Sequence, residues 1–321
     1  MSSSRLGIIV FLGLLVFATT NCTYYSQIVS RKNLVDGAEA YKGRKFAEAK
    51  DLFERAAARD PEGATMEGRT AQLFLARTIH SQYIGNRGDK QLAEDAIVEY
   101  KKTLVVDPNE QSAYKAVAGL LENLQKEGEW QEWVTERANN ESIKPQYRAE
   151  ALTSLAAKQN TCANTISDTE KTKKPAKRDG KDVFQYVKPE NPQDFERMRA
   201  CVNQGTELIE KAVALETQEV KNAGSVDLKT LTDAQLIDLH DQVKSFESAK
   251  SYRTSLLIQA SRLAEMDARE PDADKLRAQA ETARAEFQTL SELNRKIQDE
   301  KDARVAAAQQ AEKANAANAA Q

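Results

Sequence analysis

Glycine and proline are scarce in this chain, which contains 13 glycines and 7 prolines in 321 residues. Together they make up about half of their usual share in proteins, so the chain has few positions suited to tight turns. Alanine, glutamate, lysine, glutamine and leucine, which favour helices, dominate instead. This composition excludes a β-sandwich, a β-barrel and a proline-rich fibre, and it predicts an all-α protein.

An excess of charge of one sign is also lacking. The chain has 46 Lys and Arg residues against 49 Asp and Glu residues, with a formal net charge of −3. Because nucleic-acid-binding domains usually carry a clear basic excess, we expect no nucleic-acid partner. Aromatic residues make up only 6% of the chain, which argues against a single deep core at this length.

Histidine and cysteine are too few and too widely spaced for a metal site. The histidines are His80 and His240, the cysteines are Cys22, Cys162 and Cys201, and no C-x-x-C or H-x-x-H pair occurs. A glycine-rich phosphate loop and a nucleophile elbow are absent from the sequence as well. We therefore expect no metal, no cofactor, no small-molecule substrate and no catalytic residue, so the sequence does not predict an enzyme.

The N-terminus has the pattern of an export signal. A short positively charged segment ending at Arg5 precedes 13 residues without a polar side chain, 6–18. As a helix this run would be about 20 Å long, shorter than the ~30 Å hydrocarbon core of a bilayer. With Cys22 four residues further on, residues 1–21 resemble a bacterial lipoprotein signal peptide. The resemblance implies lipidation of Cys22 and anchoring in the cell envelope, most simply at its periplasmic face, followed by a linker over 22–30.

Two other interpretations of this segment stay open. Ordinary signal peptidase cleavage after Ala18 would release a soluble exported protein, and an uncleaved segment would act as a membrane anchor. All three interpretations place the rest of the chain outside the cytoplasm.

The segment 36–61 reads DGAEAYKGRKFAEAKDLFERAAARDP and carries small, aromatic and proline residues at fixed spacing. It resembles a tetratricopeptide repeat, in which two antiparallel helices cross closely. The residues that match the repeat pattern are Gly37, Ala49, Phe53, Ala56 and Pro61. The resemblance implies that small residues sit where the helices cross, that Phe53 fills the space toward the next pair, and that Pro61 ends the second helix.

Looser helix pairs of the same kind follow up to residue 145. The resemblance therefore implies, for residues 31–145, a right-handed superhelix of antiparallel helix pairs in which each pair contacts its neighbours. A fourth pair is predicted over 146–222, with helices near 147–166 and 193–222.

A polar, basic insertion, 167–192, separates the two helices of the fourth pair. Its low hydrophobicity and high charge predict a mobile loop. It is either a solvated insertion or a surface that contacts anionic lipid headgroups or an acidic partner. Cys162 and Cys201 flank it on helices that should be antiparallel neighbours. Either a disulfide or two buried free thiols would suit this arrangement.

The C-terminal part has a different pattern. After a linker, 223–232, a capping box at Thr232 opens a stripe of apolar residues at steps of three and four, and a second stripe follows Pro271. We expect a long antiparallel helical hairpin over 233–300. The alanine-rich tail, 301–321, should be a fraying helix or disordered, because it has little to bury.

The repeat resemblance also implies where a partner binds, because the first helices of such pairs line a concave face that takes a peptide or a helix. The residues expected to line it are Arg31, Leu34, Ala38, Tyr41, Lys42, Leu73, Arg77 and His80. Together with the export signal, this predicts a non-catalytic scaffold lipoprotein that binds another envelope protein in outer-membrane, pilus or secretion assembly. The alternative is a structural spacer that self-assembles as a coiled coil through the 233–300 hairpin.

Overall fold

The computed structural model describes residues 25–178 and 180–319. It confirms the all-α class, since a single two-stranded antiparallel hairpin is the only sheet in these residues. The predicted signal peptide and Cys22 lie outside the described residues. None of the helices in the described part is both long enough and apolar enough to cross a membrane.

The chain forms two compact units that meet between Trp130 and Gln131, earlier than the predicted end of the repeats at residue 145. The helices up to this boundary alternate as first and second members of antiparallel pairs. They are α1 (25–42), α2 (Phe46–Ala57), α3 (Met66–Gly85), α4 (Lys90–Val106), α5 (Gln111–Asn123) and α6 (Glu127–Asn139), the last of which crosses the boundary. In the first unit α2 packs on α3, α3 on α4 and α4 on α5, as stacked hairpins do.

The second unit combines one helix pair, a β-hairpin and a long helical hairpin. Its elements are α7 (Pro145–Ser167), β1 (Lys173–Arg178), β2 (Lys181–Tyr186), α8 (Pro192–Ala214), α9 (Gln218–Asn222), α10 (Asp233–Met266) and α11 (Glu270–Ala319), with short 3₁₀ turns at Ala223–Ser225 and Leu228–Thr230. Helix α10 packs against α7, α8 and α11, so it forms the centre of this unit.

The residues of the repeat pattern pack largely as the spacing predicts. Phe53, Ala49 and Ala56 are fully buried, and the ring of Phe53 lies 5.5 Å from that of Phe74 in the next pair. A Cβ atom on Gly37 would lie 2.7 Å from the Phe53 ring, which explains why this position is a glycine. Pro61, by contrast, is exposed and lies beyond the end of α2 at Ala57, so it bounds the helix without packing in the core.

In three of the turns that follow a helix, a residue other than glycine adopts the left-handed conformation. Arg44, Gln125 and Ala268 have φ of 58°, 58° and 57°, each just after a helix. In the first of these turns, Lys45 N–H donates to Ala40 C=O and Arg44 N–H donates to Tyr41 C=O. The same two bonds recur at the other turns and satisfy the last carbonyls of each helix. Tight helix connections therefore form here without glycine at the strained position.

The prediction of a mobile loop over 167–192 is wrong for its central part, which forms the antiparallel strands β1 and β2. Gly180, which precedes β2, has φ of 77°. Asp-Gly is a favoured pair for a two-residue hairpin turn. The short run Val183–Tyr186 has the β-forming residues of a strand. The polar composition of the whole insertion concealed this local signal.

The disulfide interpretation of the two cysteines is the one that the structure shows. Cys162 on α7 and Cys201 on α8 are bridged, with their Cα atoms 6.1 Å apart. The bridge lies in a core cluster with Met198, Phe195 and Met266. It therefore ties together the two helices that enclose the β-hairpin.

The long C-terminal hairpin is confirmed as α10 and α11, which pack on each other and share a core cluster of Leu257, Ala280 and Ala283. The alanine-rich tail is helical up to Ala319. Arg304 in this tail donates to the carbonyls of Leu228 and Leu231 at 2.9 Å and pairs with Asp233 at 2.8 Å. The tail thus holds the 223–232 linker and the start of α10 in place.

A polar chain crosses the interface between α10 and α11. The Lys301 ammonium donates to Nδ1 of His240 at 2.8 Å, so the ring proton sits on Nε2, which donates to Oδ1 of Asn294 at 2.7 Å. Asn294 in turn donates to the Glu247 carboxylate. Burial, and then the positive charge of Lys301, lower the pKa of His240. This arrangement requires a neutral imidazole.

The second unit should consequently lose stability in weakly acidic solution. The pKa of His240 is about 6.5 in the unfolded chain and lower in the folded protein. Below about pH 6.5 the unfolded state therefore binds more protons than the folded state, and the free energy of unfolding decreases. We expect urea midpoints of this unit to fall from about pH 7.5 to about pH 5.5, and to fall less in a His240→Gln variant. Parallel pH profiles for the two proteins would contradict this expectation.

Candidate protein-binding face

The position of α3, the central helix of the candidate face, is set by the carboxylate of Asp60. This carboxylate accepts hydrogen bonds from the backbone N–H groups of Ala64 and Thr65 at 2.9 and 2.7 Å and from the Thr65 hydroxyl at 2.6 Å. The Thr65 oxygen then caps α3 by accepting from Gly68 N–H at 3.0 Å. Burial alone would raise the pKa of Asp60, but these hydrogen bonds and the charge of Arg69 lower it overall. The carboxylate is therefore ionised at neutral pH and fixes the start of α3.

Side chains of α1, α3 and α5 are joined into one surface, which we call the A-helix face: Tyr41, Phe74, Arg77, Ser81 and Ser112. The Ser81 hydroxyl donates to the Arg77 carbonyl, so the Tyr41 hydroxyl is the donor in its 2.9 Å bond to Ser81. The Tyr41 ring also lies edge-on to Phe74, 6.1 Å away. Arg77 donates to the Ser112 hydroxyl at 2.9 Å. The first helices of three successive pairs thus share one hydrogen-bonded surface.

The guanidinium of Arg77 is linked to a carboxylate only indirectly, because the Ser112 hydroxyl that accepts from it donates to Glu110. It lies 5.3 Å from the centre of the Phe74 ring and bonds to the neutral Ser112 hydroxyl. In the part of the chain that the structure describes, Arg77 forms no ion pair with a carboxylate. A half-buried, oriented positive charge of this kind is suited to a carboxylate supplied by a partner.

His80 and Tyr100 form a second contact beside this face. His80 Nδ1 lies 3.3 Å from the Tyr100 hydroxyl, and the rings meet edge-on at 5.9 Å. Burial, and then the positive charge of Arg87, lower the pKa of His80. Burial also raises the pKa of Tyr100 to about 12. Both groups are neutral at pH 7, so they contribute polarity and shape to this region but no charge.

The other residues predicted to line the groove are distributed differently. Arg31 and Lys42 are exposed on α1, where Lys42 pairs with Glu39 at 3.0 Å, and Ala38 is half-buried. Leu34, in contrast, packs against the core cluster of Ala56, Ala57 and Ala71, so it acts in helix packing. Only part of the predicted set therefore belongs to the exposed surface.

Leu73 lines a separate cleft of about 730 Å³ formed by the end of α2, the start of α3 and the end of α4. Met66 and Val105, both largely exposed, border this cleft together with Arg69 and Glu99. The predicted lining thus extends from the A-helix face at Arg77 toward this cleft at Leu73.

Sequence reasoning missed three members of the A-helix face: Phe74, Ser81 and Ser112. Phe74 and Ser81 lie three residues before and four residues after Arg77, so they share its side of the helix. Helical spacing from Arg77 could therefore have found them. Ser112 is at the start of the next pair and only the packing of α3 beside α5 brings it into contact.

Comparison with known proteins adds no functional assignment. No protein-family model matches the chain, and no curated protein matches it significantly. A solved structure titled "Functional Characterization of Pseudomonas Aeruginosa pilF" matches at 14% sequence identity, covering 82% of this chain and 98% of that one, with a TM-score of 0.30. At this level of similarity the match supports no inference about what this chain does.

Proposed function

We propose that this protein is a non-catalytic scaffold of the bacterial cell envelope that binds an extended segment of another protein on its A-helix face. The observation that supports this proposal most is the link from Tyr41 through Ser81 and Arg77 to Ser112, which spans three helices. Such a prearranged surface is suited to a ligand that crosses successive repeats, because little ordering of side chains is needed on binding.

The chemistry of the face indicates the kind of segment that would bind. Arg77 offers a charged hydrogen-bond donor without a carboxylate partner among the described residues, next to the aromatic rings of Phe74 and Tyr41. A peptide with an acidic residue beside an apolar or aromatic residue would satisfy both features.

The charge of Arg77 is accordingly the feature to test. In an Arg77→Glu variant we expect the capture of the envelope partner to fall about 10- to 100-fold, since a hydrogen bond to a charged group contributes about 1.5–3 kcal/mol and the new carboxylate repels an acidic ligand. Capture from solubilised envelopes, quantified by mass spectrometry, measures this loss.

Arg59→Glu supplies the matched control, because Arg59 is exposed in the connection between α2 and α3 and its side chain forms no hydrogen bond or ion pair with the described residues. The control should retain the partner, and both variants should keep the helical far-ultraviolet spectrum. Equal capture by the wild type and Arg77→Glu would refute the proposed binding face.

Anchoring through lipid on Cys22 is part of the proposal and is supported by the sequence pattern of residues 1–21. The intact mass of the membrane-extracted protein distinguishes the three kinds of processing, since acylation after removal of residues 1–21, cleavage after Ala18 and retention of the whole segment give different masses. A mass without acyl groups would refute the proposed lipidation of Cys22 but would not bear on the proposed binding face.

The self-assembling spacer is the less favoured alternative. The apolar residues of α10 and α11 that would have to mediate assembly are already buried within the second unit, including Leu236, Val243, Phe246, Leu290 and Ile297. A helical hairpin that covers its own apolar residues has little left for association with a second copy.

A further inference from the structure

Helix α1 carries apolar side chains on a side that stays exposed in the first unit. Tyr25 is 66% exposed, Ile28 is 51% exposed and Val35 is 55% exposed. Steps of three and seven residues place these side chains on one side of a helix, within about 80° of each other. We call these three residues the α1 stripe. The A-helix face does not contain them, so their exposure calls for a separate explanation.

The contacts that hold α1 in the first unit come from the opposite side of the helix. The Ser30 hydroxyl donates to the carbonyl of Ala56 at 3.1 Å. Leu34 packs against the small core cluster that contains the same alanine, and Gly37 lies directly against the ring of Phe53. At 3.6 residues per turn, these positions lie about half a turn from the α1 stripe. The stripe therefore faces outward from the first unit.

The charge that accompanies the α1 stripe is positive. Residues 25–35 include Arg31 and Lys32 and no acidic residue. Arg31 is exposed and forms no ion pair with the described residues. Lys32 pairs with Asp36 at 2.6 Å, but these side chains are 72% and 44% exposed, so the pair contributes little. Asp36 and Glu39, the acidic residues of α1, follow the stripe in sequence.

The position of the stripe in the chain indicates what covers it. Cys22 precedes Tyr25 by three residues, and three residues span at most about 11 Å when fully extended. The present inference rests on the proposed lipidation of Cys22, which holds that residue at the bilayer surface. Tyr25 then stays within about 11 Å of the bilayer in every conformation of the intervening residues. The bilayer is therefore the surface that the start of α1 meets at all times.

We propose that α1 lies along the surface of an anionic bilayer with the α1 stripe in the headgroup layer, as a second membrane contact beside the lipid on Cys22. Residues 25–35 span about 15 Å of helix, and their apolar side chains face one plane, so all three reach the same depth when the helix lies flat. Arg31 and Lys32 lie next to these side chains on long stems, which lets their charges reach the phosphates.

Membrane contact through the stripe is compatible with the proposed binding face. Tyr41, the α1 member of the A-helix face, lies on the packed side of α1, where its hydroxyl donates to Ser81. A bilayer that covers the α1 stripe therefore leaves the A-helix face free for a protein partner.

The test uses the chain from Cys22 onward, which contains every described residue, and attaches one acyl chain by chemistry. Because Cys162 and Cys201 are bridged, Cys22 supplies the thiol that a maleimide with a myristoyl-length chain modifies. A single chain of this length gives only marginal, reversible binding, with an association constant of about 10⁴ M⁻¹. A further contribution from α1 is therefore measurable as a stronger association with vesicles.

We expect the wild type to sediment with vesicles that contain about 30 mol% phosphatidylglycerol in phosphatidylcholine. In a Tyr25→Ser/Ile28→Ser/Val35→Ser variant the association constant should fall about tenfold or more, because interfacial binding scales with the apolar area that is buried. In Arg31→Glu it should fall several-fold at about 50 mM NaCl and less at about 300 mM NaCl, because salt screens the attraction to anionic headgroups.

The matched control for the stripe is Ile84→Ser/Val98→Ser/Val105→Ser, which removes three apolar side chains that are exposed elsewhere in the first unit. Arg59→Glu is the control for charge. Both controls should bind vesicles like the wild type, and every variant should keep the helical far-ultraviolet spectrum.

Equal association of the stripe variant and the wild type with the vesicles would overturn the proposal. A wild type without the acyl chain that is a dimer in sedimentation, when the stripe variant is a monomer, would overturn it in favour of contact with a second copy. Since the acyl chain is added chemically, these results do not depend on processing in the cell. Failure of the membrane contact is thus distinguishable from failure of lipidation, which the intact mass of the native protein reports.

Discussion

Replacing Phe53 by alanine is expected to lower the unfolding free energy of the first unit by about 3–5 kcal/mol. Phe53 is fully buried, its ring packs on Phe74 of the next helix pair, and it fills the space left by Gly37. The truncation removes the transfer free energy of the ring and leaves a cavity that stacked helices close only in part. Urea denaturation followed by circular dichroism measures the effect.

A second substitution tests whether the effects of Gly37 and Phe53 on stability depend on each other. Gly37→Ala alone should be destabilising, since its Cβ would lie 2.7 Å from the Phe53 ring, but it should cost little in the Phe53→Ala background. The exposed Phe184 provides the control, where the same change to alanine should cost well under about 1 kcal/mol. Additive effects of Gly37→Ala and Phe53→Ala would mean that the two residues do not determine how closely the helices approach.

Loss of the Cys162–Cys201 bridge is expected to destabilise the second unit by about 4 kcal/mol. The cysteines are 39 residues apart in sequence, and closing a loop of that length restricts the unfolded chain by about this amount in the chain-entropy model. For a unit of this size the midpoint of thermal unfolding should fall by about 10 °C. Calorimetry of the wild type with and without reductant measures the shift.

Serine variants separate this effect from other actions of the reductant. A Cys162→Ser/Cys201→Ser protein should melt at the lower temperature and should not respond to reductant, whereas Cys22→Ser should behave like the wild type. Reductant that breaks the bridge, as shown by intact mass after alkylation, without moving the midpoint would refute the expected stabilisation.

Local sequence signals were sufficient for most of the helical elements. The spacing of Gly37, Ala49, Phe53 and Ala56 predicted a helix crossing that the structure contains. The capping box at Thr232 and the stripes after it predicted α10 and α11, because apolar residues at steps of three and four can be buried only on one side of a helix.

The β-hairpin was missed because its signal covers only a few residues within a long polar segment. Asp179-Gly180 and the run of Val183, Phe184 and Tyr186 indicate a hairpin when they are considered alone. The strands also depend on distant partners, since Tyr186 is held by Arg262 and Glu265 on α10. A two-stranded sheet without such support is barely stable in water.

The candidate face was predicted only in part for a related reason. Arg77, Tyr41 and His80 could be placed on first helices from the repeat spacing, but spacing does not say which half-buried side chain faces the core. Leu34 turned out to pack against α2 and α3. Ser112 belongs to the face because α5 lies beside α3, which lets its hydroxyl accept a hydrogen bond from Arg77.

By itself the sequence determined the helical class, the helix pairing of the first unit, the long C-terminal hairpin and the possibility of a bridge between two cysteines. These properties follow from short-range patterns, since helix formation and the burial of an apolar stripe depend on residues within a few turns. Only the tertiary structure decided that the basic insertion contains a hairpin anchored to α10, and that Arg77 is oriented between the Phe74 ring and the Ser112 hydroxyl. Those properties depend on which side chains from distant segments come within a few ångströms of each other, and packing alone sets that distance.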